Sequence, residues 1–294
     1  MRIRGGYAAL YSSAVVFAFT SLAVKLASRL YSGLLVSAAR FAIGTLLCLC
    51  VLAFGYRSLK PAHPVLVALR GVFGAFSMGM SYAAISITGP GRASVLCNTY
   101  PLFVALFGAL FFGERLRARL IASIALCSCG AFLVMRDGSG ARAAGDLLAL
   151  GSALFAGFAI NFLRKAAKDD NPFMLYLSPC LFGLPLILFA GPGCGAELAG
   201  GGAVGLGFLI GAGFLAFLAQ ALMALGYRSV QAGKGSVVFY LETALTVLLG
   251  ALFAGETFNA RCLAGLALIL SGLVLNQPMT PNSISCYLIA HRTK

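Results

Sequence analysis

Along its length the chain alternates long apolar blocks with short breaks of charge, glycine and proline. Ten blocks stand out, at residues 7–27, 33–54, 65–87, 93–112, 116–135, 146–161, 173–190, 205–225, 235–254 and 260–275. A helix needs about 20 apolar residues to cross a hydrocarbon layer of about 30 Å, and most of the blocks match that length. The connections between them are short. Only residues 191–204, with six glycines and Glu197, read as a loop of any size. The pattern predicts an all-α integral membrane protein with ten transmembrane helices and no extramembrane domain. The first block is too long for a cleavable signal peptide, and no polar mature region follows it. Residues 277–294 are expected to be a loosely ordered cytoplasmic tail.

Composition sharpens this picture. Of 294 residues, 60% are hydrophobic and 10% are charged, and mean hydropathy is +0.95. A soluble domain carries about 25% charged residues. This balance excludes a cytosolic enzyme, a disordered protein and a nucleic-acid binder. The net charge of +14 therefore reports topology, because Lys and Arg collect in cytoplasmic loops. With the N-terminus inside, fifteen of the 22 basic residues fall on the inner side and six on the outer, and Arg40 lies within a span. Both termini are thus expected in the cytoplasm, at a bacterial-type inner membrane. Trp is absent, so any interfacial aromatic belt draws on the 10 Tyr.

The chain also repeats itself. Shifted by 142 residues, 91–133 aligns without gaps on 233–275 with 17 of 43 positions identical. The best-matched stretch is GALFFGE at 108–114 against GALFAGE at 250–256. Ser94, Val95, Arg119 and Gly130 match Ser236, Val237, Arg261 and Gly272. Each copy holds five predicted helices, at 5–138 and 145–276, and an odd number forces the two into opposite orientations. Inverted repeats are a hallmark of secondary transporters that bind substrate near the midplane.

The fourth block carries Pro101 and ends in Leu-Phe-Phe-Gly-Glu-Arg at Arg115. With the five-plus-five repeat, Arg40-Phe41 in the second block and Arg70-Gly71 in the third, this resembles the EamA-type branch of the drug/metabolite transporter superfamily over about residues 5–276. The resemblance implies a cavity lined by helices 1, 3, 4, 6, 8 and 9, and export of amino acids, other metabolites or drugs. Some relatives import nucleotide-like compounds. One position departs from the pattern. The family often has Glu-Pro in helix 9, where this chain has Glu242-Thr243, so that helix is expected to be stiffer.

Polar groups inside a span are costly and face protein or water. Glu242 is the one carboxylate well inside a predicted span, and reads either as a contact for a cation or titrating proton, or as a packing group. Its repeat mate is Tyr100, and Asn98 pairs with Tyr240, so pseudo-symmetry draws these four towards the repeat interface. Arg40 could attract a substrate carboxylate, but its place near a helix start favours snorkelling to the surface. Asn161 and Gln220 offer amides, which often only bridge helices. Tyr82 and Phe17 offer an aromatic wall. Glu114, Glu256, Arg119 and Arg261 are expected to secure their own turns. Pro101 is expected to kink helix 4, and Gly71, Gly74, Gly207 and Gly211 to admit close helix approach.

Other signals carry no site. Cys48/Cys50 and Cys127/Cys129 are spaced for different helix faces, and His63 and His291 stand in a loop and the tail, so no metal or cofactor is expected. The G-x-G-x-x-G at Gly200 lacks a preceding strand. With no nucleotide motif, energy must come from a gradient. The sequence therefore predicts a secondary transporter rather than an enzyme, acting as a monomer or homodimer. It would export a small amphipathic metabolite, an amino acid or a derivative of one, by alternating access. The alternatives are an importer or exchanger of a nucleotide-like metabolite, which would need Lys25, Arg40 or Arg92 to point inward, and a non-transporting membrane protein.

Overall fold

A computed structural model of the protein describes residues 3–55, 60–88, 93, 96–135, 143–190, 201–254 and 260–276. Glu256, Arg92, residues 191–200 and the tail after Asn276 lie outside these residues. Among the described residues there are helices and no strands. They are α1 (Ile3–Ala27), α2 (Gly33–Gly55), α3 (Pro64–Thr88), α4 (Tyr100–Phe112), α5 (Ala118–Met135), α6 (Ala143–Ala166), α7 (Pro172–Ala190), α8 (Gly202–Tyr227), α9 (Ala232–Val238), α10 (Tyr240–Ala254) and α11 (Ala260–Asn276). By length and composition, α1, α2, α3, α6 and α8 can cross a membrane, while α4, α5, α7 and α11 are shorter apolar helices.

Two predicted spans are interrupted, at corresponding places in the repeat. In the fourth, Ala93, Leu96 and Cys97 are helical, Asn98 and Thr99 form a turn, and α4 begins at Tyr100. In the ninth, α9 ends at Val238, Phe239 makes the turn, and α10 begins at Tyr240. Pro101 therefore stands in the first turn of α4, where a missing N–H costs nothing. It does not kink a helix interior as the sequence led us to expect. The ninth span breaks without any proline. The Phe239 N–H bonds to the Ser236 carbonyl and the Glu242 N–H to the Phe239 carbonyl, and these three-residue steps stop the α-helical ladder. Thr243 has not made this span continuous.

Packing follows the repeat. The first and third helices of one half meet the third and first of the other, as α1 against α8 and α3 against α6. Second meets second (α2 with α7), fourth meets fourth (α4 with α9) and fifth meets fifth (α5 with α11). Glycine sets the closest of these approaches. A Cβ on Gly130 would strike the Gly265 carbonyl, and one on its repeat mate Gly272 would strike the Ser123 carbonyl, so the α5 and α11 backbones touch. Gly71 likewise meets Phe182 and Ser178, but Gly207 and Gly211 face open space and do not serve close packing. Phe54, Leu147, Val204 and Leu252 lie on the outside, as expected of a surface solvated by lipid.

Alternate connections gather at one end, which also holds most of the described basic residues outside the helices. The Ala62 N–H donates to Asp170 Oδ1 at 2.6 Å, joining the α2–α3 and α6–α7 connections. Arg228, after α8, donates to the Ala167 and Asp170 carbonyls. Asn276 at the end of α11 donates to the Lys234 carbonyl, and Gly6 of α1 sits against Gly226 and Ser229. Glu114 does not cap its own helix. Its carboxylate accepts from the N–H groups of Ala232 (2.8 Å) and Gly233 (3.3 Å), the first residues of α9. Arg119 reaches the Leu275 carbonyl and so ties α5 to the end of α11.

Candidate functional site

A cavity of about 430 Å³ lies between the two halves, within the range of small-molecule sites. From the first half, α1 contributes Phe17, Thr20 and Ser21, α2 contributes Arg40, and α3 contributes Arg70, Gly74, Ser77, Ser81 and Tyr82. From the second half come Ile160 of α6, Gln220 and Met223 of α8, and Glu242 of α10. Tyr100 and Phe239 enter the wall at the two helix breaks. Each break ends one helix and starts another beside the cavity, so irregular backbone is confined to where it faces protein or a polar space.

Among the described residues two guanidiniums and one carboxyl group face this space. Arg40 Nη1 donates to the Tyr82 hydroxyl at 2.9 Å. Arg70 is 4% exposed, and its Nη2 makes a long contact of 3.4 Å to Gln220 Oε1. Among the described residues the buried Nε atoms of both arginines have no hydrogen-bond partner. Glu242 Oε1 accepts from the Ser21 hydroxyl at 3.0 Å, and the Arg40 charge acts on its carboxylate. Gly74, one turn beyond Arg70, has no side chain because the Arg70 guanidinium occupies the position its Cβ would take. Phe17 packs edge-on to Phe239 at 5.9 Å between centroids, an apolar wall beside the carboxylate.

Of the side chains singled out in the sequence, Phe17, Arg40, Tyr82, Tyr100, Gln220 and Glu242 line the cavity. Arg40 points inward rather than snorkelling. Asn161 does not line it. Its amide nitrogen is spent on the Val104 and Gly157 carbonyls, at 3.0 and 2.8 Å, and bridges α6 to α4. Tyr240 is 2% exposed and shares a 2.6 Å hydrogen bond with Ser128 of α5, away from the cavity. Asn98 forms part of the fourth-span turn and is not among the lining residues. The sequence reading counts Arg70 among the inner basic residues at the opening of the third block and does not name it as a site residue, yet Arg70 lines the cavity. It also passed over Thr20, Ser21, Ser77 and Ser81. A period of three to four along α3 (Arg70, Gly74, Ser77, Ser81) was the available signal. Among the described residues no group of three His, Cys, Asp or Glu converges to hold a metal ion.

The profile of the EamA-like transporter family matches the chain twice, over residues 4–136 and 143–276. An uncharacterized transporter of Archaeoglobus fulgidus is 26% identical, with 88% of this chain and 92% of that protein aligned. The pseudopaline exporter CntI of Pseudomonas aeruginosa is 27% identical over 78% of this chain and 81% of its own length. A riboflavin transporter of Rhizobium johnstonii is 28% identical over 74% and 71%. A crystal structure with 19% identity superposes with a TM-score of 0.75 over 98% of both chains, which establishes the fold.

Proposed function

The chain belongs to the EamA-like transporter family of the drug/metabolite transporter superfamily, and from that premise we propose that it is a secondary transporter with ten membrane crossings. It moves a small amphipathic metabolite, an amino acid or amino-acid derivative, out of the cell by alternating access. The membrane is a bacterial-type inner membrane, and the basic end of the molecule faces the cytoplasm. The observation that carries the reading is a cavity built by both halves in which Arg40, Arg70 and Glu242 stand among aromatic and apolar walls. Ionisable groups held inside a membrane protein mark pathways for substrate and ions. The exporter among the relatives supports the direction.

Glu242 is the coupling residue in this reading. It is the carboxylate that lines the cavity among the described residues, it accepts from the Ser21 hydroxyl, and it sits at the start of α10 beside the break, where rocking of the halves changes its surroundings. The test is an untargeted comparison of metabolites inside cells and in the medium, between cells overproducing the wild type and cells producing Glu242→Gln. A compound depleted inside and enriched outside, only with the wild type, supports export and the role of Glu242. Accumulation inside reverses the direction. A compound that moves equally with both proteins removes Glu242 from coupling and leaves transport standing. Import or exchange of a nucleotide-like compound is a second reading, favoured by the inward Arg40 and Arg70.

A further inference from the structure

The charges of the cavity do not balance. Among the described residues two guanidiniums and one carboxylate face it. Glu242 accepts from Ser21, while Arg40 is engaged by Tyr82 and Arg70 by Gln220, both neutral side chains. Arg70 is nevertheless nearly inaccessible. An arginine carries five N–H donors in a rigid fork, and Gln220, the side-chain acceptor this one finds among the described residues, stands at 3.4 Å. Among those residues its buried Nε has no partner. Leaving a desolvated charge without a counter-charge is among the most costly arrangements a fold can hold. Residue 74 is glycine, which leaves the guanidinium the room it occupies along α3 beside the cavity. A group retained at such cost, and given space, is arranged to meet an anion.

We infer that the cavity takes an amino dicarboxylate: a small molecule with two carboxylates, one ammonium and an apolar portion. This inference rests on the transporter reading above for its setting and names the substrate class of that same site. One carboxylate engages the Arg70 guanidinium where it lines the cavity, a group whose N–H donors can hold a carboxylate bidentately. The second engages Arg40, whose buried Nε also has no partner among the described residues and whose Nη1 is held by Tyr82. The ammonium meets Glu242, steadied by Ser21. Both guanidiniums line the same cavity, so one small molecule can span them. The ligand's net charge of −1 cancels the +1 of the cavity. Its apolar portion lies against Phe17, Met78, Ile160, Met223 and Phe239. A simple zwitterion leaves one guanidinium unmatched, and a cation leaves both.

The test uses the full-length protein, purified in detergent, and a matched set of probes. N-carboxymethyl-L-leucine carries all four features. In its monomethyl ester, blocked at the added carboxylate, one anion is lost and the shape is nearly kept. L-Leucine methyl ester is the cation, and adenosine monophosphate is the nucleotide arm. Calorimetric titration of the wild type is expected to rank the dicarboxylate about tenfold or more above its ester, since a charged acceptor is lost against a buried donor. Arg70→Gln is expected to abolish that ratio, and Arg70→Lys to restore part of it, in protein whose helical circular dichroism is unchanged. A merely structural Arg70 would lower both affinities together and leave the ratio intact. Equal binding of acid and ester, a preference for the cation or the nucleotide, or no measurable binding of the dicarboxylate overturns the inference, and these wild-type results need no variant to fold. Proteoliposome flux separates the two readings. Binding with the expected ranking but no flux supports the ligand class and overturns transport. Flux of acid and ester alike overturns the ligand class and leaves transport standing.

Discussion

Two polar residues that look alike in the sequence, Asn161 and Gln220, end in opposite roles. Both are amides inside predicted spans and both are buried. What separates them is the partner each finds. Asn161 finds two backbone carbonyls, whereas Gln220 turns to a guanidinium at the cavity edge. Such a difference depends on neighbours from other helices, so one strand of sequence does not reveal it. The same holds for Arg70, which the sequence shows at the basic inner end of the third block and packing turns to the cavity wall. Glu242 and Tyr82 were legible because a carboxylate, or a hydroxyl on a large apolar ring, stands out against 60% hydrophobic residues. Two substitutions separate the roles. Asn161→Ala should lower stability by about 1 kcal/mol, the scale of an interhelical hydrogen bond, while leaving substrate affinity unchanged. Gly74→Ala should displace the Arg70 guanidinium and cut transport about tenfold or more through misplacement. Thermal unfolding in detergent and proteoliposome uptake, measured on both variants, decide between these outcomes.

Among the elements, the apolar lengths were easily read and the breaks were not. A helix that crosses a bilayer must be apolar for about 20 residues, and that demand is written directly into composition. A break needs no special residue when its turn stays near helical dihedrals. Phe239 has φ −73° and ψ −9°, accessible to any side chain, so neither glycine nor proline announces it. Pro101 misled for the complementary reason, because a proline fits a first turn as readily as it kinks an interior. Glu114 shows how an element's end can be held from elsewhere. Its carboxylate satisfies the first two N–H groups of α9, places where a negative charge is favoured. Glu114→Ala should cost about 1–2 kcal/mol, a charged hydrogen bond at a partly exposed site, and should loosen the basic end. Faster exchange of the Ala232 and Gly233 amide protons, followed by mass spectrometry, is the expected sign. Unchanged exchange would mean that α9 is held by packing alone.

Across the whole molecule, the principal pairings run between halves: α1 with α8, α3 with α6, α2 with α7, α4 with α9 and α5 with α11. The 142-residue periodicity foretold two copies, but not that each copy would leave its best surfaces for the other. A periodicity reports resemblance, and contact is a separate matter. The arrangement predicts that a cut between the two matched regions, within residues 136–142, is tolerated. Halves produced as two polypeptides in one cell should co-purify and restore transport, whereas either alone should not. Failure of the pair to assemble, with both halves stably inserted, would contradict it. The same pairing bears on how the protein is made. Arg40, Arg70 and Gly130 are synthesised before Glu242 and before the Gly265 backbone that Gly130 meets. A first half on its own therefore carries both guanidiniums without the carboxylate that shares their cavity, and a glycine seam without its partner helix.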